Sequence, residues 1–271
     1  MEREKILPAS QMPQGAVAIN RQSVSDKLRA YLKKPFSLGA LVLVLLAAAI
    51  TVGAVLWVLV YTLVQGVPNL SARLFEWEYT TENQSMLPAL LNTLFIAGTA
   101  LAVAVPLGVF AAIFMVEYAK SNNVFVKIVR MAAETLAGIP SIVYGIFGML
   151  FFVQLFGWGT SVLSGALTMA LMILPLVMRT TEEALKAVPD SFREGSFALG
   201  AGKLRTIFKI ILPSAMSGII SGVILSLGRI VGETAALIYT AGTATNVAGG
   251  FLKGGETLSI HVYILATNAL Y

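Results

Sequence analysis

The chain has no cysteine among its 271 residues and one histidine, His261. Disulfides, thiolate metal sites and cysteine nucleophiles are excluded. A lone histidine with no partner cluster in the sequence gives no basis for a metal centre or an acid–base site. Charge is equally scarce. Asp, Glu, Lys and Arg together make up 12% of the residues, about half of the roughly 25% usual in soluble proteins, too few to clothe a water-facing surface. The charges are absent in blocks, with none in residues 37–64, 87–116 or 135–178. No cleavable signal pattern is present, because the first apolar run follows some 35 polar residues and is too long for a signal core.

Hydrophobic residues make up 57% of the chain, and several charge-free runs exceed the roughly 20 residues that cross a bilayer as helix. The short alternating segments of a membrane β-barrel are missing. The fold class is therefore an all-α polytopic membrane protein. Residues 1–36 read as a cytoplasmic tail with a basic cluster at Lys27, Arg29, Lys33 and Lys34. A first transmembrane helix follows over 37–64, then an external loop over 65–86 and a core over 87–271. Within the core a second span runs from Leu87 to Val116, with Pro106 expected to kink it. The charge-free stretch Thr135–Met178 would reach about 66 Å as one helix. It must fold back, and Gly157–Ser161 is the break. This gives a third span over Thr135–Phe156 and a fourth over Ser161–Met178. A charged loop, 179–209, leads to a fifth span from Pro213 to about Tyr239. Leu258–Tyr271 is too short and polar to count as a sixth.

Lys and Arg set the orientation. Seven precede the first span, three lie in the second connection and six in the 179–209 loop, against Arg73 and Lys253 on the opposite side. The positive-inside rule then puts the N-terminus and the 179–209 loop in the cytoplasm. Because the cations flank apolar runs, the net charge of +5 reflects topology and not nucleic acid binding.

The 179–209 loop contains Gly200-Ala201-Gly202-Lys203, which suggests a phosphate loop. Phe197 and Leu204 occupy positions where a Walker A motif needs Gly and Ser or Thr, and Arg205 breaks the dinucleotide fingerprint. Nucleotide binding by this chain is not expected. Another spacing does fit: Glu194-Gly195-Ser196, three residues, Gly200, nine residues, then Ile210-Ile211-Leu212-Pro213. It resembles the EAA loop of ABC-importer permeases, with Glu194, Gly200, Ile210, Leu212 and Pro213 in register and Gly195 and Ser196 in place of two alanines. Read from its residues alone, the segment is a short surface helix. Gly200 supplies a turn or a close approach, and Pro213 suits the first turn of the next span. An amphipathic connector held to anionic lipid by Lys203, Arg205 and Lys209 is the plainer alternative.

Arg229 and Glu233, in SLGRIVGETAAL, lie inside the fifth span. Four residues apart, they share a helix face and can pair. An arginine about 24 Å beyond Pro213 is costly inside a bilayer and commonly faces a pathway. Its planar fork suits phosphate oxygens. A purely structural ion pair is the competing reading.

Glu134–Gly145 (ETLAGIPSIVYG) and Gly232–Leu237 (GETAAL) narrow the resemblance to the phosphate-importer permeases, nearer the PstA-type than the PstC-type subunit, over roughly Leu87–Tyr271. The resemblance implies an ABC type I importer permease fold in the inner membrane. It implies docking of Glu194–Pro213 on an ATPase dimer that binds ATP and Mg, with no cofactor on this chain. It also implies a PstC-type second permease, an external phosphate-binding protein, inorganic phosphate as substrate, and Arg229 and Glu233 in its path. A sixth span, normal in the family, is not evident. Another oxyanion such as sulfate or molybdate, an ion-driven transporter, and an assembly or signalling subunit without its own pathway remain as alternatives.

Overall fold

The computed structural model describes residues 35–119 and 123–268. The basic cluster Lys27, Arg29, Lys33 and Lys34 and the connection residue Lys120 lie outside the described residues. The chain divides into two units, 1–70 and 71–271. In the first, α1 spans Pro35–Gly66, an uninterrupted apolar helix that contains the expected first span.

The second unit is helical throughout its described regular elements. Its helices are α2 (Leu87–Tyr118), α3 (Val124–Ala137), α4 (Ser141–Leu155), α5 (Val162–Lys186), α6 (Asp190–Ala198), α7 (Lys203–Gly232), α8 (Ala235–Thr240) and α9 (Leu258–Asn268). With α1, the three helices α2, α5 and α7 are long and apolar enough to cross a membrane, and the bent pair α3–α4 is a further candidate. The fifteen-residue α4 lies at 100° to α3.

That bend corrects the expected third span. Thr135–Ala137 do not open it; they close α3, and the chain turns at Gly138–Pro140 before α4 starts at Ser141. The reason is local. Proline disfavours helical backbone in the residue before it, and the Leu136 carbonyl at the end of α3 accepts both the Ile139 N–H at 3.1 Å and the Tyr144 hydroxyl at 2.9 Å. The expected break at 157–161 is present. Gly157 and Gly159 have φ of +68° and +66°, backbone that glycine adopts without a Cβ penalty.

Three further boundaries move. The charged stretch 179–209 is mostly helix and not loop: α5 runs on to Lys186, α6 occupies Asp190–Ala198, and α7 begins at Lys203. Nor does the fifth span open at Pro213. Pro213 sits inside α7, just after a π-helical turn at Ile207–Ile211. Proline removes one main-chain donor from the helix. The wider turn absorbs the mismatch, and the Ser214 hydroxyl donates to the Ile210 carbonyl at 2.6 Å. The far boundary moves too, since α7 ends at Gly232 and Ala235–Thr240 form the separate α8.

The core is built from close helix contacts, as membrane bundles require when lipid is as apolar as the side chains. On α2, Ala97, Ala100, Ala104 and Gly108 lie against α5; a Cβ on Gly108 would fall 2.8 Å from Val177 Cγ1. Gly218 and Gly222 let α7 approach α5 with equal tightness, where an added Cβ would meet Ala184 or Thr180. Two buried clusters result. One gathers Ile96, Met169, Ile173, Ile230 and Leu237, the other Ile113, Leu185, Ile207, Ile211 and Ala215.

Candidate functional site

The motif segment is a helical hairpin, α6 and the start of α7. Its turn is a Schellman arrangement. The Gly200 N–H donates to Phe197 O at 2.9 Å and the Ala201 N–H to Ser196 O at 3.1 Å. Gly200 has φ of +80° and nothing within 4 Å of where a Cβ would stand. Its role is therefore the left-handed backbone, not a close approach. Ser196, the small replacement inside the motif, is buried, and its hydroxyl lies 2.8 Å from that of Thr206, joining the two arms. Ile210 and Leu212 pack partly buried beside the cluster around Ile211. Gly195 and Pro213 are exposed. Glu194 is exposed and makes no hydrogen bond or ion pair among the described residues. Phe192, Phe197 and Leu199 add an exposed apolar surface, with Leu199 90% exposed.

The hairpin is clamped to the bundle by pairings that the sequence reading did not single out. Arg193 Nη2 meets Glu117 Oε1 of α2 at 2.8 Å, and the two side chains are only 16% and 9% exposed. The same guanidinium donates to the Leu185 and Val188 carbonyls and to Asp190. It thus binds α2, the end of α5 and α6 at one point. Lys203 Nζ stands 4.7 Å from the centre of the Tyr118 ring, a cation–π contact. Glu117 and Arg193 are 76 residues apart, so no local pattern could have paired them.

Arg229 lies in the last turn of α7, exposed, with no hydrogen bond or ion pair among the described residues. It lines a cavity of about 510 Å³ between α3, α5 and α7, together with Arg130, Glu134, Arg179, Glu182 and Lys186. Free guanidinium donors facing a cavity have the chemistry to receive an anion. The helix that carries Arg229 begins in the hairpin. Lys203 and Arg229 are 26 residues apart on α7, roughly 39 Å at 1.5 Å per residue.

Glu233 is elsewhere, and the expected Arg229–Glu233 pair is absent among the described residues. The helix ends at Gly232, and Glu233 has extended backbone, φ −79° and ψ 127°. Its carboxylate accepts the Ala236 N–H at 3.2 Å and so satisfies a free donor in the first turn of α8. The i,i+4 argument needed an unbroken helix, and the helix stops at Gly232, one residue short of Glu233. Tyr144 is buried in the core rather than lining the cavity, while Glu134 does line it.

The far end of the bundle is organised by Asn92, fully buried in α2. Its amide donates to the Asn246 and Glu256 carbonyls and accepts from Ala248 N, which fixes the segment between α8 and α9. His261 does have a partner, contrary to the sequence reading: Nδ1 lies 2.7 Å from Glu256 Oε1, both side chains buried. Glu256 precedes α9, five residues from His261, outside any helical pairing rule. No group of three His, Asp or Glu among the described residues could hold a metal ion.

Comparison with known proteins matches residues 104–256 to the family described as binding-protein-dependent transport system inner membrane component. A probable ABC transporter permease protein, YqgI of Bacillus subtilis, is 34% identical over 83% of this chain and 81% of its own length. The phosphate transport system permease protein PstA 1 of Mycobacterium tuberculosis is 39% identical over 66% of this chain and 59% of its own length. Among solved structures, an amino acid ABC transporter with histidines is 19% identical, covering 69% of this chain and 79% of that one at a TM-score of 0.47.

Proposed function

We propose, from the premise that this chain belongs to the binding-protein-dependent transport inner membrane components and among them to the PstA-type permeases, that it forms one half of an ATP-driven importer for inorganic phosphate. The half carries no catalysis of its own. ATP, with Mg, is hydrolysed by a separate ATPase dimer that docks on the Glu194–Pro213 hairpin. A PstC-type permease completes the pathway, and an external binding protein delivers the anion. The N-terminus and the hairpin face the cytoplasm, as the distribution of Lys and Arg favours.

One observation carries the reading: a single helix, α7, has the hairpin at one end and an unpaired arginine on a cavity at the other. Displacement of the hairpin by ATPase closure moves the whole helix and changes what Arg229 faces. Coupling requires such a difference between the two states. The apolar surface of Phe192, Phe197 and Leu199 and the unpaired Glu194 supply what a docking partner would cover.

Purification of the complex with its native partners and reconstitution into proteoliposomes tests this. ATP-dependent uptake of phosphate, outcompeting sulfate and molybdate, is the expected result. Uptake that follows sulfate or molybdate would move the cargo to that anion. Uptake that persists without any ATPase would overturn the mechanism.

A further inference from the structure

The cavity holding Arg229 does not end there. Its lining extends along α5 from Met172 to Lys186, fourteen residues or about 21 Å of helix, and its hairpin end has its own group of charges. Glu182 Oε1 accepts Arg130 Nη2 at 2.6 Å and Lys186 Nζ at 2.5 Å. One carboxylate oxygen thus faces two cations. The carboxylate is sheltered, its side chain 9% exposed, while Arg130 and Lys186 are 39% and 53% exposed. Arg130 Nε is buried and has no acceptor. Nε and Nη2 form one edge of the guanidinium, the fork that takes two oxygens of a carboxylate or phosphate at once, and Glu182 engages half of it.

We propose that Arg130 and Lys186 form a second oxyanion subsite, at the cytoplasmic end of the same cavity, with Glu182 as the built-in carboxylate that the travelling anion displaces. This inference rests on the reading of the cavity as the phosphate path. A tetrahedral oxyanion can give one oxygen to Arg130 Nε, a second to Nη2 and a third to Lys186, satisfying the donor that Glu182 leaves unmet. Arg130 and Lys186 both line the cavity and are partly exposed, and the buried Nε comes within reach as the Glu182 carboxylate moves away. The surrounding charges favour passage over capture. Arg179 is already paired with Glu183, Nε to Oε1 at 3.1 Å, and Glu134 sets a further negative charge on the wall. Return of Glu182 to both cations then expels the anion, so the subsite empties without a further input of energy. Arg229 lacks such a competitor, which gives the path a holding point and a releasing point.

The test uses the reconstituted complex and measures how phosphate on the ATPase side inhibits ATP-driven uptake. Arg130→Gln is expected to raise the half-inhibiting phosphate concentration tenfold or more. Glu182→Gln, which removes the competing carboxylate, is expected to lower it about tenfold and to slow uptake. Because Arg130→Gln leaves Glu182 with one partner fewer and could impair assembly, the double variant Arg130→Met with Glu182→Leu removes both charges together. It too is expected to raise the half-inhibiting concentration. Unchanged inhibition in Arg130→Gln and in the double variant, with uptake lost in Arg229→Gln, overturns the subsite and leaves the path reading intact. Full uptake in Arg229→Gln overturns the path reading itself.

Discussion

The two ends of α7 are held in opposite ways. At the hairpin end, Arg193 alone fixes three elements, Glu117 is buried against it, and Ser196, Thr206 and the Gly200 turn lock the arms together. At the other end Arg229 has no ion pair or hydrogen bond among the described residues, and Glu233, its expected partner, caps a different helix. The wall behind that end is organised by the Asn92 amide and by the buried Glu256–His261 pair. A part that must receive force without slack needs many short, buried connections. A part that must exchange one anion for another needs an unoccupied cation. The difference between the ends matches the two tasks proposed for them.

The largest expected effect breaks the rigid end. Arg193→Ala leaves Glu117 buried without its partner, and removing one member of a buried pair costs about 3–5 kcal/mol. The complex should melt at lower temperature, and ATP hydrolysis should continue without proportionate uptake. Hydrolysis and uptake falling together, at unchanged melting temperature, would show that Arg193 does not carry the clamp.

At the open end, Arg229→Gln should leave assembly and melting temperature unchanged, because no hydrogen bond or ion pair among the described residues is lost. Charge-assisted hydrogen bonds contribute about 1.5–3 kcal/mol each, so phosphate uptake should fall by about 10- to 100-fold. Arg229→Lys keeps the charge without the fork and should fall between the two. A stability loss in Arg229→Gln comparable to that of Arg193→Ala would erase the contrast between the ends.

How much of this was legible in the sequence depends on the range of the interaction. Apolar runs of 28 or more residues declare themselves as spans, and Glu194 to Pro213 show their spacing directly. The glycine break at 157–161 follows from backbone sterics alone. Some errors came where continuity was assumed: through Gly138–Pro140, where the chain bends, and through Gly232, where Arg229 and Glu233 part company; others came where a break was assumed, at 179–209 and at Pro213, where helix runs on. Glu117 with Arg193, Arg130 with Glu182, and Asn92 with the segment ahead of α9 are long-range pairings. No periodicity encodes them, because partners are chosen by which helices pack together. Arg229 was found because an arginine in an apolar run is conspicuous. Arg130 and Lys186 were not, because in the sequence they look like ordinary flanking cations.

Asn92→Ala probes the far wall. It removes two donors and one acceptor from a buried site and leaves the Asn246 and Glu256 carbonyls unmet. An unsatisfied buried group costs about 1–3 kcal/mol. The segment between α8 and α9 should become susceptible to proteolysis while the hairpin stays protected. Cleavage at both ends would mean that the two regions unfold as one unit, and that the contrast drawn above holds only for the intact state.

The smallest expected effect is also the sharpest test of what holds the hairpin. A Cβ at Gly200 meets nothing within 4 Å, yet the backbone sits at φ +80°. Gly200→Ala therefore acts only through the left-handed conformation, at about 1–2 kcal/mol, and should modestly raise the ATP hydrolysed per phosphate imported. Asparagine tolerates that backbone better, so Gly200→Asn should be closer to the unmodified chain. Equal damage from Ala and Asn would instead mean that the position is crowded by a docked partner, since nothing among the described residues opposes a side chain there.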